Sequence, residues 1–467
     1  DSFLFSAEGV KFAAGSGTMN GGQGNDTISY AAYTSSVSVN LATGTATNTG
    51  GISNIENATG GAGADILTGN SAANILTGNA GDDVITGAGG SDTLIGGPGN
   101  DTFIFADNWG VDSLSDTLGV SDHLNFSVVT THLTFTIAAG SLIVSDGVNT
   151  LTHTGNTIER LTGGSGNDTF KFSSDGVQLA AGFGVINGGP GLNALDYSAY
   201  TTTLVEVDLA LGKANGTAGV SKIQKVIGGA NNIINGDAND NILVSGPGND
   251  ILRGQGGNDT YVFLDGWGTD TVEDTSGLDT FDFSNHSSDL TFAVDGVNVT
   301  VTAGLNRVIT SRSMIENFVG SATANNILDF SAYPGSISVV LTGLGTASGF
   351  KGTATPLAGG FDNFNQMIGS AATSDSITGM SAVSTWRVDA TAGNLYTSSR
   401  TFGFAGFETL NGGSAADTFN VAGAQAFNLL GGSGDDSFIF ANGATLTGTL
   451  NGQAGVDTLN FASYTTA

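Results

Sequence analysis

Apolar residues in this chain come in short groups separated by glycine and aspartate, and no stretch of a dozen residues keeps a helical period. The clearest stretch begins at Gly60 and reads GGAGADILT, GNSAANILT, GNAGDDVIT, GAGGSDTLI and GGPGNDTFI, five consecutive nine-residue units ending at Ile104. The eighth residue of each is apolar: Leu67, Leu76, Ile85, Leu94 and Phe103. The sixth is Asp65, Asn74, Asp83, Asp92 or Asp101. A second array, from Gly236, reads GDANDNILV, SGPGNDILR and GQGGNDTYV, with Asn241, Asp250 and Asp259 sixth. Each unit predicts a tight turn, where glycine accepts positive φ, followed by a three-residue strand with one side chain pointing inward. So short a strand cannot bury itself. The units must stack into a spiral, about 4.8 Å per turn, that covers a continuous apolar column. The expected fold class is therefore all-β, a parallel β-solenoid.

Single copies of the unit recur elsewhere, as GGQGNDTIS with Asp26, GGSGNDTFK with Asp168, GGSAADTFN with Asp417, GGSGDDSFI with Asp436 and GQAGVDTLN with Asp457. A longer period overlies them. The segments that start at Asp1, Asp168 and Asp436 align with one another, and FIFADNWGVDSLSD (from Phe103) aligns with YVFLDGWGTDTVED (from Tyr261). Copies close on an Ile-Glu step, Ile158-Glu159 and Ile315-Glu316. This organisation predicts tandem modules at 1–167 and 168–325, a divergent third at 326–435, and the start of a fourth at 436–467. Asp1 takes the sixth position of a unit whose glycines would lie upstream, so the chain is expected to be a window on a longer array or a subunit that continues into a neighbour. LTFTI and LTFAVDGVNVTV alternate with period two, the second around an Asp-Gly turn. The aromatics of FLF, FIF, FKF and YVF recur at one register and read as a core column, in preference to a sugar-stacking platform. Trp109, Trp267 and the repeated Tyr33, Tyr200, Tyr333 and Tyr464 read as structural for the same reason.

Charge changes the picture. Acidic residues number 42 against 12 basic ones, a net charge of −30. Glu occurs only at positions 8, 56, 159, 206, 273, 316 and 408, so the excess is Asp, the residue of turns and hard-cation sites. Nucleic acid and anionic membranes are excluded as partners for want of Lys and Arg. No apolar run is long enough to span a bilayer, and the first residues show no basic region followed by an apolar one. Cysteine is absent, which removes disulfides and thiolate sites. The four His, at 123, 132, 153 and 286, are scattered and do not suggest zinc. Carboxylates stacked about 5 Å apart repel by roughly 3 kcal/mol at an effective dielectric of 20, which calls for an intervening cation or for protonation.

The nonapeptides resemble the RTX, or hemolysin-type, calcium-binding repeat GGxGxDxUx, with U apolar, of the large repetitive bacterial surface, adhesin and S-layer kind. The resemblance implies a right-handed β-roll or β-helix with calcium-binding loops, two units per turn, and Ca2+ held between loops 18 residues apart. Asp65 would then lie under Asp83 and Asp83 under Asp101, with Asn74 under Asp92 and Asn241 under Asp259. The metal-ligand set it implies is Asp26, Asp65, Asp83, Asp92, Asp101, Asp168, Asp250, Asp259, Asp417, Asp436 and Asp457, with Asn74 and Asn241 as weaker positions. It also implies a type I-like secretion route.

There is no nucleophile elbow, no H-E-x-x-H and no phosphate loop followed by Lys-Ser/Thr, so no catalysis is expected. The expected function is a calcium-dependent extracellular structural protein: a surface filament, S-layer or adhesin stalk. The alternative is the RTX tail of a secreted enzyme or toxin with its catalytic domain outside the chain. Expected partners are calcium and other copies of the chain, with surface glycans as a further candidate.

Overall fold

The computed structural model describes residues 1–12 and 16–465. They are β-strands joined by turns, with no α-helix among them. The chain divides into two compact units, Asp1–Ala230 and Asn231–Ala467.

In the first unit one wall is built from strands Ser38–Asn40, Ile66–Thr68, Val84–Thr86, Thr102–Ile104, His123–Asn125, Arg160–Thr162, Val185–Asn187 and Gly219–Ser221, each parallel to the next. Their central residues, Val39, Leu67, Ile85, Phe103, Leu124, Leu161, Ile186 and Val220, stand in one register and are buried. The second wall takes the alternate strands, Ser2–Leu4, Thr27–Ser29, Asn57–Thr59, Ile75–Thr77, Thr93–Ile95 and Val111–Ser115, again parallel. Two nonapeptides therefore make one turn. The strand's period of two sends the eighth residue of each unit inward: Leu67, Leu76, Ile85, Leu94 and Phe103 have no solvent exposure. Each such side chain contributes about 1.5–3 kcal/mol by leaving water.

The solenoid is not parallel throughout. Between Val111–Ser115 and Thr169–Phe172 the second wall is bridged by an antiparallel meander, Thr134–Ala138, Ser141–Ser145 and Thr150–Thr154. Its last strand pairs back to Val111–Ser115 and its first pairs forward to Thr169–Phe172, both in parallel. Three strands are the number that allows this. With an odd count, the outer two point the same way, and the next turn joins in unchanged polarity. LTFTI, read as a strand from its alternation, is the first strand of this insertion.

The second unit repeats the device three times: Leu290–Val294 with Asn298–Ala303 and Asn306–Ser311; Ser338–Leu344 with Phe350–Ala354 and Gly360–Phe364; and Ser384–Asp389 with Asn394–Thr397 and Thr401–Ala405. The last two follow each other with little repeat between them. That is why the segment from 326 to about 410 departs from the nonapeptide pattern.

Aromatic rings fill the bends beyond the strands. Phe5 stacks on Tyr30, Phe105 on Phe126, Phe172 on Tyr197 and Phe263 on Phe283, at centroid separations of 4.6, 4.5, 4.8 and 4.8 Å. Trp109 and Trp267 pack edge-on against this column and are buried. The hydroxyls of Tyr33, Tyr200 and Tyr464 donate to the carbonyls of Val10, Val177 and Ala444, while Tyr333 is half-buried under Arg312. The bends are also latched. Asp107, Asp175 and Asp265 accept from the backbone amide and hydroxyl of Thr130, Thr201 and Ser287 respectively, one turn further on.

Candidate metal centre

The sixth-position side chains lie inside the solenoid, at the end of each turn. Asp26, Asp65, Asn74, Asp83, Asp92, Asp101, Asp168, Asn241, Asp250, Asp259, Asp417 and Asp436 are all at most 2 % exposed. Asp457 belongs to the last described turn and is exposed.

The buried residues form hydrogen-bonded ladders. One Oδ1 after another accepts the backbone amide of the residue one turn earlier: Val37 N–H to Asp65, Asp65 to Asp83, Asp83 to Asp101 and Asp101 to Asp122, at 2.7–2.8 Å. The other side carries Asn74 to Asp92 (2.8 Å) and Asp92 to Asp112 (2.9 Å). In the second unit the series runs Asn241 to Asp259 to Asp279, then Asp250 to Asp270, and Asp417 to Asp436 to Asp457. Each ladder therefore has a support that electrostatic reasoning on spacing omitted: one oxygen per carboxylate is satisfied by a buried amide without any ion.

The second oxygen is the one that asks for a ligand. Oδ2 of Asp26, Asp83, Asp92, Asp101, Asp250, Asp259, Asp417 and Asp436 is buried and has no hydrogen-bond partner. Burial, which penalises the charged form, pushes these acids up: Asp92, Asp101 and Asp417 to about 6, Asp83 and Asp259 to about 7, and Asp250 to about 9, where the charge of Asp270 adds to it. The first glycine of each unit lies against this oxygen. A Cβ on Gly78 would collide with Asp83 Oδ2, and one on Gly96 with Asp101 Oδ2. Rows of buried, unpartnered carboxylate oxygens beside loop carbonyls fit a hard cation with several oxygen ligands. Asn74 and Asn241 are satisfied differently. Their Oδ1 atoms accept the amides of Asn70 and Asp237 at 2.7 Å, and Asn74 Nδ2 donates to the Glu56 carbonyl.

Where each array ends, three acids converge. Asp101, Asp116 and Asp122 bring one oxygen each within 4.8 Å of one another, and Asp259, Asp274 and Asp279 do the same. Burial raises Asp122 to about 8 and Asp279 to about 6.

The sequence profile of the RTX calcium-binding nonapeptide repeat (4 copies) matches residues 13–29, 51–77, 68–103, 153–171 and 226–261. Over those residues the chain carries RTX calcium-binding nonapeptide repeats. No curated protein matches it. Proteins with RTX repeats are typically secreted, and among the described residues no helix is long and apolar enough to cross a membrane. In these repeats calcium would be held by the buried sixth-position carboxylates whose Oδ2 has no donor; Oδ2 of Asp65 and Asp168 instead accept the amides of Gly61 (2.6 Å) and Gly164 (2.7 Å).

Asp417, Asp436 and Asp457 lie outside the matched residues but share the RTX geometry, joined by the same amide-to-carboxylate bonds. Several members of the RTX ladders went unread in the sequence. Asp112, Asp116, Asp270 and Asp274 fall in the FIFADNWGVDSLSD and YVFLDGWGTDTVED segments, and Asp122 and Asp279 follow shortly after them, outside the nonapeptide pattern. Their signal was the matched spacing after Asp101 and Asp259. The Ile-Glu step was read only as the close of a copy. In the structure its glutamate continues the ladder: Glu56, Glu159 and Glu316, and likewise Glu408 after Phe407, accept the amides of Asp26, Asp122, Asp279 and Asp375 at 2.8–2.9 Å.

Proposed function

We propose that this chain is a calcium-dependent extracellular structural segment, a β-solenoid that builds a surface filament, a surface layer or an adhesin stalk, with no catalytic role. One observation carries the reading: unpartnered, buried carboxylate oxygens recur turn after turn in both units. An ion that stabilises one active site need be bound once. Ions distributed through every repeat make folding itself depend on the metal. With a net charge of −30, the metal-free chain is destabilised by self-repulsion, and millimolar calcium outside a cell draws the turns together.

The test is far-UV circular dichroism of the chain in EGTA and during calcium titration. A gain of β signal on adding calcium is expected, with a large rise in melting temperature. Identical spectra and melting with and without calcium would overturn the reading. Electron microscopy of the calcium-loaded chain then separates its forms, since filaments or sheets support self-assembly and monodisperse particles support a stalk.

A further inference from the structure

We propose that the two Asp triads closing the nonapeptide arrays are cation sites of unequal strength, and that the residue at the eighth position of the last repeat, Phe103 in one and Tyr261 in the other, sets the difference. The inference rests on the calcium reading above, but it concerns residues outside the nonapeptide pattern.

The triads are built alike. Asp101 and Asp259 are the last repeat aspartates, and Asp116 and Asp274 each follow by fifteen residues. All six acids are at most 6 % exposed. Their oxygens are engaged differently. In the first triad Oδ2 of Asp101, Asp116 and Asp122 are all buried without a partner. Asp116 Oδ1 accepts only a long bond from the Gly97 amide, 3.1 Å. Three oxygens thus face one point with no donor from the rest of the chain on them; those of Asp116 and Asp122 engage only each other.

In the second triad Asp259 alone has a buried oxygen without a partner. The Tyr261 hydroxyl accepts the Gly254 amide at 2.7 Å and donates to Asp274 Oδ2. Asp274 Oδ1 accepts the amides of Thr275 (2.5 Å) and Ser276 (3.2 Å). A cation entering here must compete with a phenolic proton for a ligand that the first triad offers free. Phe103, equally buried, has no hydroxyl to offer. The second triad also borders an open cleft of about 190 Å³, lined by Asp274, Thr275, Ser276, Gly277, Asp279 and Glu316. Solvent there screens the charges and gives an ion a way out. The first site is therefore a tight structural one, and the second a weaker site that exchanges.

Anomalous diffraction reads the two sites separately. Crystals of the whole chain grown at low calcium are soaked with graded terbium(III), an oxygen-seeking surrogate for calcium. Half-occupancy at Asp101/Asp116/Asp122 is expected at a concentration about tenfold or more below that at Asp259/Asp274/Asp279, the ratio expected for one hydrogen bond to a charged group. Tyr261→Phe should close most of that gap, and Phe103→Tyr should weaken the first site by a similar factor. Equal occupancy in the wild type, or a gap unchanged by Tyr261→Phe, would overturn the proposal, as would a second site made weaker by that substitution. Peaks along the nonapeptide loops with none at either triad would refute this inference and leave the calcium reading standing. No peak anywhere at saturating terbium would refute both.

Discussion

Asp83 has two separable jobs, and two substitutions divide them. Its Oδ1 accepts the buried Asp65 amide at 2.7 Å, and its Oδ2 is the buried oxygen left for a cation. Asp83→Asn keeps an acceptor for the amide and removes the charge. Asn193 shows that an asparagine can serve in the ladder, since its Oδ1 accepts the Asp168 amide one turn earlier and its Nδ2 donates to the Gly189 carbonyl. Asp83→Ala removes both jobs and orphans the amide, at a cost of about 1–3 kcal/mol. In EGTA, Asp83→Asn should melt at or above the wild-type temperature, because a buried acid already raised to about 7 is no longer present. Asp83→Ala should melt lower.

In millimolar calcium both variants should lose the contribution of the ion. At a concentration a hundredfold above the dissociation constant that contribution is about 2.7 kcal/mol. In a unit of this size 1 kcal/mol moves the melting temperature by about 2–4 °C, so the calcium-induced rise should shrink by about 5–10 °C. Differential scanning calorimetry in EGTA and in calcium measures all four values. If Asp83→Asn were as damaging in EGTA as Asp83→Ala, or if both variants kept the full calcium-induced rise, the assignment of Oδ2 to a cation would be wrong.

Two further outcomes follow from the same geometry. Burial holds Asp83, Asp122 and Asp250 at about 7, 8 and 9, against an ordinary value of 3.8. The metal-free folded chain thus binds protons more tightly than the unfolded one, and its stability falls as pH rises from about 4 through 9. Melting in EGTA should be highest at the acid end and calcium affinity highest at the alkaline end; an EGTA melting temperature that climbs with pH would refute this. Leu94 is fully buried between Leu76 and Leu114 in the second wall. Leu94→Ala should cost about 2–5 kcal/mol in urea denaturation of the calcium-loaded chain, and a loss below about 1 kcal/mol would mean that the column is not packed as described.

The sequence by itself determined the turn, the strand and the inward side chain of each nonapeptide. Glycine, Asp and an apolar residue at fixed offsets leave the backbone one way to turn, and a strand of period two one way to point Leu67, Leu76 or Ile85. Which aspartates stack came from the resemblance to the RTX repeat, whose two units per turn imply that Asp65, Asp83 and Asp101, eighteen residues apart, lie over one another. Tertiary structure decided what local spacing does not encode. The antiparallel meanders were visible as strands such as LTFTI, but that their outer strands join the walls on either side depends on partners tens of residues away. The ladder from amide to carboxylate, with Glu159 and Glu316 among its members, needs the pitch of the coil. Asp116 and Asp274 carry no repeat glycine, and only the closing of a turn brings them to Asp101 and Asp259. A repeat fixes what lies one turn above it, whereas an interruption is placed by whatever the chain next meets.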